Sequence, residues 1–491
     1  MQLPAELWLR ISNFLTQDEV VALVGVNLTF FNIALDIRYR TIHIETWNSK
    51  SRKLYERLRD PLPASRVQRL ILRPHLSLSN PIRSESSRPA ASPSLWHRLF
   101  SAGSSSKAQP PPASKPAPIE QLIESLILVL PGLVNLRSFE AEVWDVEEGY
   151  DLRPFFRSAW AAFGPKLEAV SFGGRPKDFL QFVESEPNIP ACTSLNLQFT
   201  HEMDTAANAA TLVILVDCVA PYINSIALQL TTFKVWSWST LDLSALFLNL
   251  GKFPRLTEFH VRAPFNRAFT DPAGLTNLLE TNSQTLQHVE LRLNPSGSAM
   301  DPSPEQRLGE WFSSHQSSPL VMRDLKKLRL FPTNSGLGFD ALLMYLERSA
   351  NTLTTLAIKD RYLSLEEVST LTTLLAERES ALQNLRLHVR VWSPELFDLL
   401  AAKLPGLRSL SLYVGGSPGD RAAEKLFFAK LRNGTCRQWT LYDIGVWQGG
   451  FEVSLSTMRS LAACIPSIRS FWNNGEMWSD SKNYEVGFTH I

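Results

Sequence analysis

What most constrains this chain is a short pattern, apolar-x-x-apolar-x-apolar, that keeps returning. It starts at Leu136, Leu167, Cys192, Ile223, Leu256, Leu286, Leu325, Leu353, Leu382, Leu407, Cys436 and Ile468, with Leu136 the loosest copy. Successive starts lie 25 to 39 residues apart, about 30 on average. The clearest copies are Leu325-Lys-Lys-Leu328-Arg-Leu330, Leu382-Gln-Asn-Leu385-Arg-Leu387 and Leu407-Arg-Ser-Leu410-Ser-Leu412. Stretches of helical spacing lie between them, at 366–379, 394–404 and 420–432. The longest interval holds a Pro/Ser/Gly loop at 294–304, as an insertion in an array would. A strand of this length buries its leucines only against its own helix and its neighbours, so no repeat is stable alone.

This alternation resembles the leucine-rich repeat. The expectation is an α/β fold: a degenerate solenoid of about 12 repeats over residues 119–491, parallel strands inside and helices outside. One departure stands out. The motif's ninth position is usually Asn or Cys, and here only Asn294 fits, which argues for an uneven arc. A generic α/β domain of βαβ units is the structural alternative.

The first 44 residues read differently. Leu7, Ile11, Phe14 and Leu15 follow helical spacing after Leu3-Pro4. Thr16 and Glu19 form a capping-box pair ahead of a second helix, and Asn27 caps a third bearing Phe30, Ile33, Ala34 and Ile37. Gly25 weakens the end of the second helix. So much apolar surface on so short a segment asks for a partner. Leu3-Pro4-x-Glu6-Leu7, Ile11, Phe14-Leu15, Leu23, Val26, Phe31 and Ala34, closing with Tyr39-Arg-Thr-Ile42-His-Ile44, resemble the F-box. The resemblance implies that residues 1–44 dock on the Skp adaptor of a cullin-RING ubiquitin ligase, using Leu3, Pro4, Leu7, Ile11, Leu15, Leu23 and Val26 as core or contact residues. It also implies that the rest of the chain presents a protein substrate. A cap sealing the end of the array is the plainer reading. Residues 45–75 read as a basic linking segment or a degenerate first repeat, since 38–73 hold ten Arg or Lys against three acids. Residues 76–118, rich in Ser and Pro, read as a flexible insertion.

Composition narrows the function. Lys and Arg total 49 against 48 for Asp and Glu, so net charge gives no reason to expect nucleic acid or membrane as partner. Four scattered cysteines without C-x-x-C support neither a disulfide framework nor a zinc site, and no cofactor motif occurs. The N-terminus lacks a basic-then-apolar leader, which points to an intracellular protein, cytoplasmic or nuclear. Gly415-Gly-Ser417-Pro418-Gly419 satisfies G-x-S-x-G, but the residue after the serine must offer an N–H to an oxyanion and proline has none. The chain is therefore read as a non-enzyme that recruits. A repeat scaffold without a ligase role is the alternative.

Two surfaces stand out. Side chains alternate along a strand, so motif positions three, five, seven and nine share the inner face. In the repeats from Leu256 to Leu382 these positions hold Arg262, Arg292, Lys327, Arg329, Lys359, Arg361, Arg386 and Arg390 against only Glu258 and Glu290. Arg262 and Arg292 are expected in one column, as are Arg361 and Arg390. Asn196 and Gln198 are the neutral residues on one side, and Tyr413, Tyr442 and Trp472 the aromatic ones on the other. This face would take an acidic or phosphorylated substrate segment. Trp392, Trp447 and Trp478 fall 10 or 11 residues into their repeats, in loops along one rim, to bind a partner or pack on the next coil.

Overall fold

The computed structural model describes residues 4–12, 14–46, 48–74, 119–146, 149–199, 209–237, 241–265, 269–293, 302–314, 324–330, 336–416 and 421–472. Leu3, Asn294, Ser417, Trp478 and the 76–118 insertion lie outside them. The chain divides into two compact units, residues 1–174 with 181–191, and 175–180 with 192–491.

The first unit opens with helices α1 (Ala5–Ser12), α2 (Gln17–Ala22) and α3 (Leu28–Tyr39). The capping box forms as the sequence predicts: the Thr16 amide donates to the Glu19 carboxylate at 2.7 Å, and the Glu19 amide to Thr16 Oγ1 at 3.3 Å. Asn27 caps α3 by accepting from the Phe30 amide at 2.9 Å. Strands β1 (Thr41–Ile44), β2 (Arg69–Leu72), β3 (Ser138–Glu142) and β4 (Ala169–Gly174) then pair in parallel, setting Ile42 beside Leu70, Leu70 beside Phe139 and Phe139 beside Val170. β1 and β2 obey the repeat pattern too, as Tyr39-x-x-Ile42-x-Ile44 and Val67-x-x-Leu70-x-Leu72. So the closing stretch of the F-box-like segment and the segment 45–75 each carry a strand of the array. The core is aromatic: Phe139, Phe155, Phe156, Trp160, Phe172 and Phe182 interlock with centroids 4.8 to 6.1 Å apart. The basic residues here meet acids, Arg66 with Asp36 at 3.0 Å and Arg69 and Arg73 with Glu140 at 3.0 and 2.6 Å.

The second unit carries β5 (Ser194–Phe199), β6 (Thr232–Ser237), β7 (Glu258–Arg262), β8 (His288–Arg292), β9 (Lys327–Leu330), β10 (Thr355–Leu363), β11 (Asn384–Val391), β12 (Ser409–Gly416) and β13 (Asp443–Gln448), all parallel and in chain order. β14 (Phe451–Glu452) folds back antiparallel on Trp447 and Gln448 of β13. β15 (Ser470–Phe471) lies parallel to Asp443 and Ile444 of the same strand. Leucines such as Leu328, Leu356, Leu385 and Leu410 face inward, at most 2% exposed, each contributing ~1.5–3 kcal/mol. This is an α/β leucine-rich-repeat solenoid.

Two repeat starts need correction. Ile223 lies in the helix Ala220–Ile226, and β6 belongs to Leu230-x-x-Phe233-x-Val235. Cys436 lies in the short turn Thr435–Gln438, and β13 belongs to Leu441-x-x-Ile444-x-Val446. Other polar groups do the work of the ninth-position asparagines. Asn224 accepts from the Gly251 amide at 2.8 Å, and buried Asn282 accepts from the Phe253 amide at 3.0 Å. Asp398 accepts from the Thr435 amide at 2.7 Å. Each ties one coil to the next.

Candidate functional site

Register builds the middle of the second unit into two rows of side chains. The first runs Lys234, His260, Glu290, Arg329, Ala357, Arg386, Ser411 and Gly445, one residue from each strand from β6 to β13. Beside it, Trp236, Arg262 and Arg292 face one another at one end, and Tyr362, His388, Tyr413 and Trp447 at the other.

At the N-terminal end of these rows the acids are already engaged. Glu258 meets Lys234 at 2.7 Å and His260 Nε2 at 3.1 Å. These contacts, His260 foremost, hold its carboxyl far below the usual range. Glu290 meets Arg329 at 3.1 Å. Burial pushes its carboxyl up, but His260, Lys359 and Arg329 outweigh that and the net shift is downward. Arg262 and Arg292 do sit opposite each other, and Arg262 lies over the Trp236 ring at 5.2 Å.

Past Glu290 the cations crowd. Burial, and then the Arg386 charge, push the Lys359 ammonium down to about 8, with Arg329 and Arg292 adding to the effect and Glu290 opposing it. Ala357, opposite both Arg329 and Arg386, is too small to separate them. Arg386 lies over the Tyr413 ring at 4.3 Å. Next comes a stack: His388 to Tyr413 at 4.7 Å, Tyr413 to Trp447 at 4.7 Å, and Tyr362 tilted onto His388 at 5.4 Å. Gly445 makes room for the last ring, since a Cβ there would stand 2.4 Å from Trp447 Cη2. His388 is the least expected member. Neither ring nitrogen has a hydrogen-bond partner among the described residues, and burial, then Arg386, Lys359 and Arg292, push its imidazole down to about 4.

Several expected residues fall elsewhere. Register shifts between Ala357 and Tyr362, so Arg361 does not share a column with Arg390; Tyr362 faces His388 instead. Arg361 is buried, pairs with Glu367 and lies over Phe339 at 5.5 Å. Arg390 is exposed and donates to the Tyr362 carbonyl at 3.3 Å. Tyr442, one place after the true start Leu441, is 49% exposed and outside the stack. The same shift moves Trp447 from a rim loop into β13. Trp472 has a positive φ of 54° and donates to the Val446 carbonyl at 3.4 Å. Trp392 is 4% exposed and stacks on Phe427 at 4.9 Å, which is the packing role.

Of the expected adaptor residues all but Leu3 are described, and none of those is buried. Pro4 is exposed, Leu7 is 42%, Ile11 38% and Val26 57% exposed, and Leu15 and Leu23 are half-buried. Phe14 and Leu28 are exposed too, and α1 has no buried residue. Trp8 anchors α1 on Phe30 of α3 at 5.4 Å. Among the described residues no three His, Cys, Asp or Glu side chains gather as metal ligands would, and no helix is long and apolar enough to cross a membrane.

No protein-family profile and no curated protein matches the chain. Among solved structures it is similar to the leucine-rich repeat-containing protein LegL7 from Legionella pneumophila, at 11% identity and TM-score 0.30, covering 70% of this chain and 88% of that one. It is also similar to TLR13 in its complex with ssRNA13, at 12% identity and TM-score 0.22, covering 70% of this chain and 60% of that one.

Proposed function

We propose that this repeat protein is a substrate-recognition subunit of an SCF-type ubiquitin ligase. Its N-terminal helices dock on the Skp adaptor, and its middle strands capture an acidic or phosphorylated protein segment. It works inside the cell, in cytoplasm or nucleus, without catalysis or cofactor of its own. The observation that carries this reading is the apolar patch on α1 to α3, where Leu7, Ile11, Phe14, Val26 and Leu28 face solvent while Phe30 and Ala34 supply the packing. Surface apolar groups that do not hold their own fold together are suited to hold a partner. The substrate half rests on the crowding of Arg292, Arg329, Lys359 and Arg386.

The test uses purified adaptor. Leu7→Ala/Ile11→Ala/Val26→Ala is expected to weaken binding by ~2 kcal/mol or more while barely changing the unfolding midpoint, because the truncated groups are exposed. Unchanged binding would leave a binding scaffold without ligase role.

A further inference from the structure

The acidic-segment reading leaves one group unexplained: a histidine with two unpartnered nitrogens in the middle of the cations. We infer that anion capture by the Arg292–Lys359–Arg386 cluster is linked to a proton, which His388 takes from solvent when the anion arrives. The inference rests on the anion-site reading above and adds its regulation.

The geometry sets this up from every side. Arg386 lies on the imidazole's own strand, Lys359 and Tyr362 on β10, Arg292 on β8, and Tyr413 on β12. Glu290 faces Lys359, and Glu452 faces Tyr413. Among the described residues, the charges that act on the ring come from Arg386, Lys359 and Arg292, which are cations. They favour the neutral imidazole when no anion is bound, and its two nitrogens are buried without a hydrogen-bond partner among the described residues. A dianion among these side chains cancels the repulsion that forbids the proton. Once protonated, the ring is a further positive charge beneath the anion, and its flanking Tyr413 face suits a cation better than a neutral ring. Thermodynamic reciprocity then requires the anion to bind more tightly as pH falls.

Sulfate is the probe, because it keeps both charges across the range and any pH dependence belongs to the protein. If sulfate restores His388 from about 4 to the ordinary imidazole value near 6.5, its affinity should rise roughly tenfold between about pH 7.5 and pH 5.5. Calorimetry on the full chain at matched ionic strength reads this. His388→Phe, which keeps a ring in the stack, should flatten the dependence. NMR titration of the His388 imidazole with and without sulfate gives the same answer from wild type alone, should the variant fold poorly. Equal sulfate affinity at both pH values, or a dependence that His388→Phe retains, overturns the proton linkage while the anion site stands. No sulfate binding at either pH overturns the anion site, and the linkage with it.

Discussion

Replacing Gly274 by alanine sets two effects of opposite sign against each other. Gly274 is the second residue of the helix Ala273–Thr281, where alanine gains at most about 1 kcal/mol of helix propensity. Its new methyl carbon, however, would stand 2.4 Å from the Leu248 nitrogen and 2.5 Å from the Phe247 carbonyl carbon. That is roughly 1 Å inside a normal contact. The obstruction is backbone of the neighbouring helix Ser244–Leu248, so no rotamer change relieves it and the two helices must part. Overpacking of this kind costs ~1–3 kcal/mol, and backbone on the receiving side favours the upper half. The net expectation is a loss of about 1–2 kcal/mol. These helices lead into β7 and β8, so amide hydrogen exchange should quicken there while β11 and β12 keep their protection. Gly406→Ala is the control: nothing lies within 4 Å of its Cβ, and it should be neutral or stabilise by ~0.4–1 kcal/mol. A urea midpoint for Gly274→Ala equal to or above wild type would mean that the two helices part at no cost.

Trp392→Ala should cost ~3–5 kcal/mol, since it empties a buried site between Phe427 and Phe397; the fluorescence difference between wild type and Trp392→Phe should resist iodide quenching. The pH dependence of stability carries a sign set by His388. Its folded value, about 4, lies below the unfolded 6.5, so the unfolded chain binds the extra proton between them. The His388 contribution to stability is complete above about pH 6.5 and is lost as pH falls toward 4, by up to about 3 kcal/mol, and His388→Phe should remove that part of the slope in chemical denaturation at stepped pH.

The strands were legible wherever the pattern met a β-branched or leucine-rich run, as at Leu325, Leu382 and Leu407. They were misplaced at Ile223 and Cys436 for a physical reason. The first gap of the pattern, three residues, is also nearly one helical turn, so a helix such as Ala220–Ile226 satisfies it equally well. Tyr39 and Val67 were hidden by context, one inside a helical segment's closing residues and the other among basic residues that the fold spends on Asp36 and Glu140. The basic row was readable from alternation up to Arg329. Beyond it, the irregular stretch of β10 defeats counting, because extra residues between Ala357 and Tyr362 swap which side chains face outward. His388 could have been found: it shares the seventh position with Tyr413, and a histidine in line with an aromatic residue on the next strand is a stacking partner.

The hairpin of β13 and β14 limits how a further strand can add to this edge of the sheet. A parallel sheet recruits its next strand, from its own chain or another's, through the hydrogen-bonding groups along its last edge. Gly449 and Gly450, at φ 58° and 85°, supply the two left-handed residues a tight reversal requires, and Phe451 and Glu452 then occupy the edge at Trp447 and Gln448. Among the described residues, Asp443 and Ile444 pair on this edge in parallel with Ser470 and Phe471. On the edge of β13 away from β12, a further strand as long as β12 cannot lie in parallel without first peeling the hairpin away. A two-glycine turn thus sets two of the six residues of β13 against a strand of opposite direction, and a second copy of this protein that met this edge would have to displace it before pairing in parallel along the whole strand.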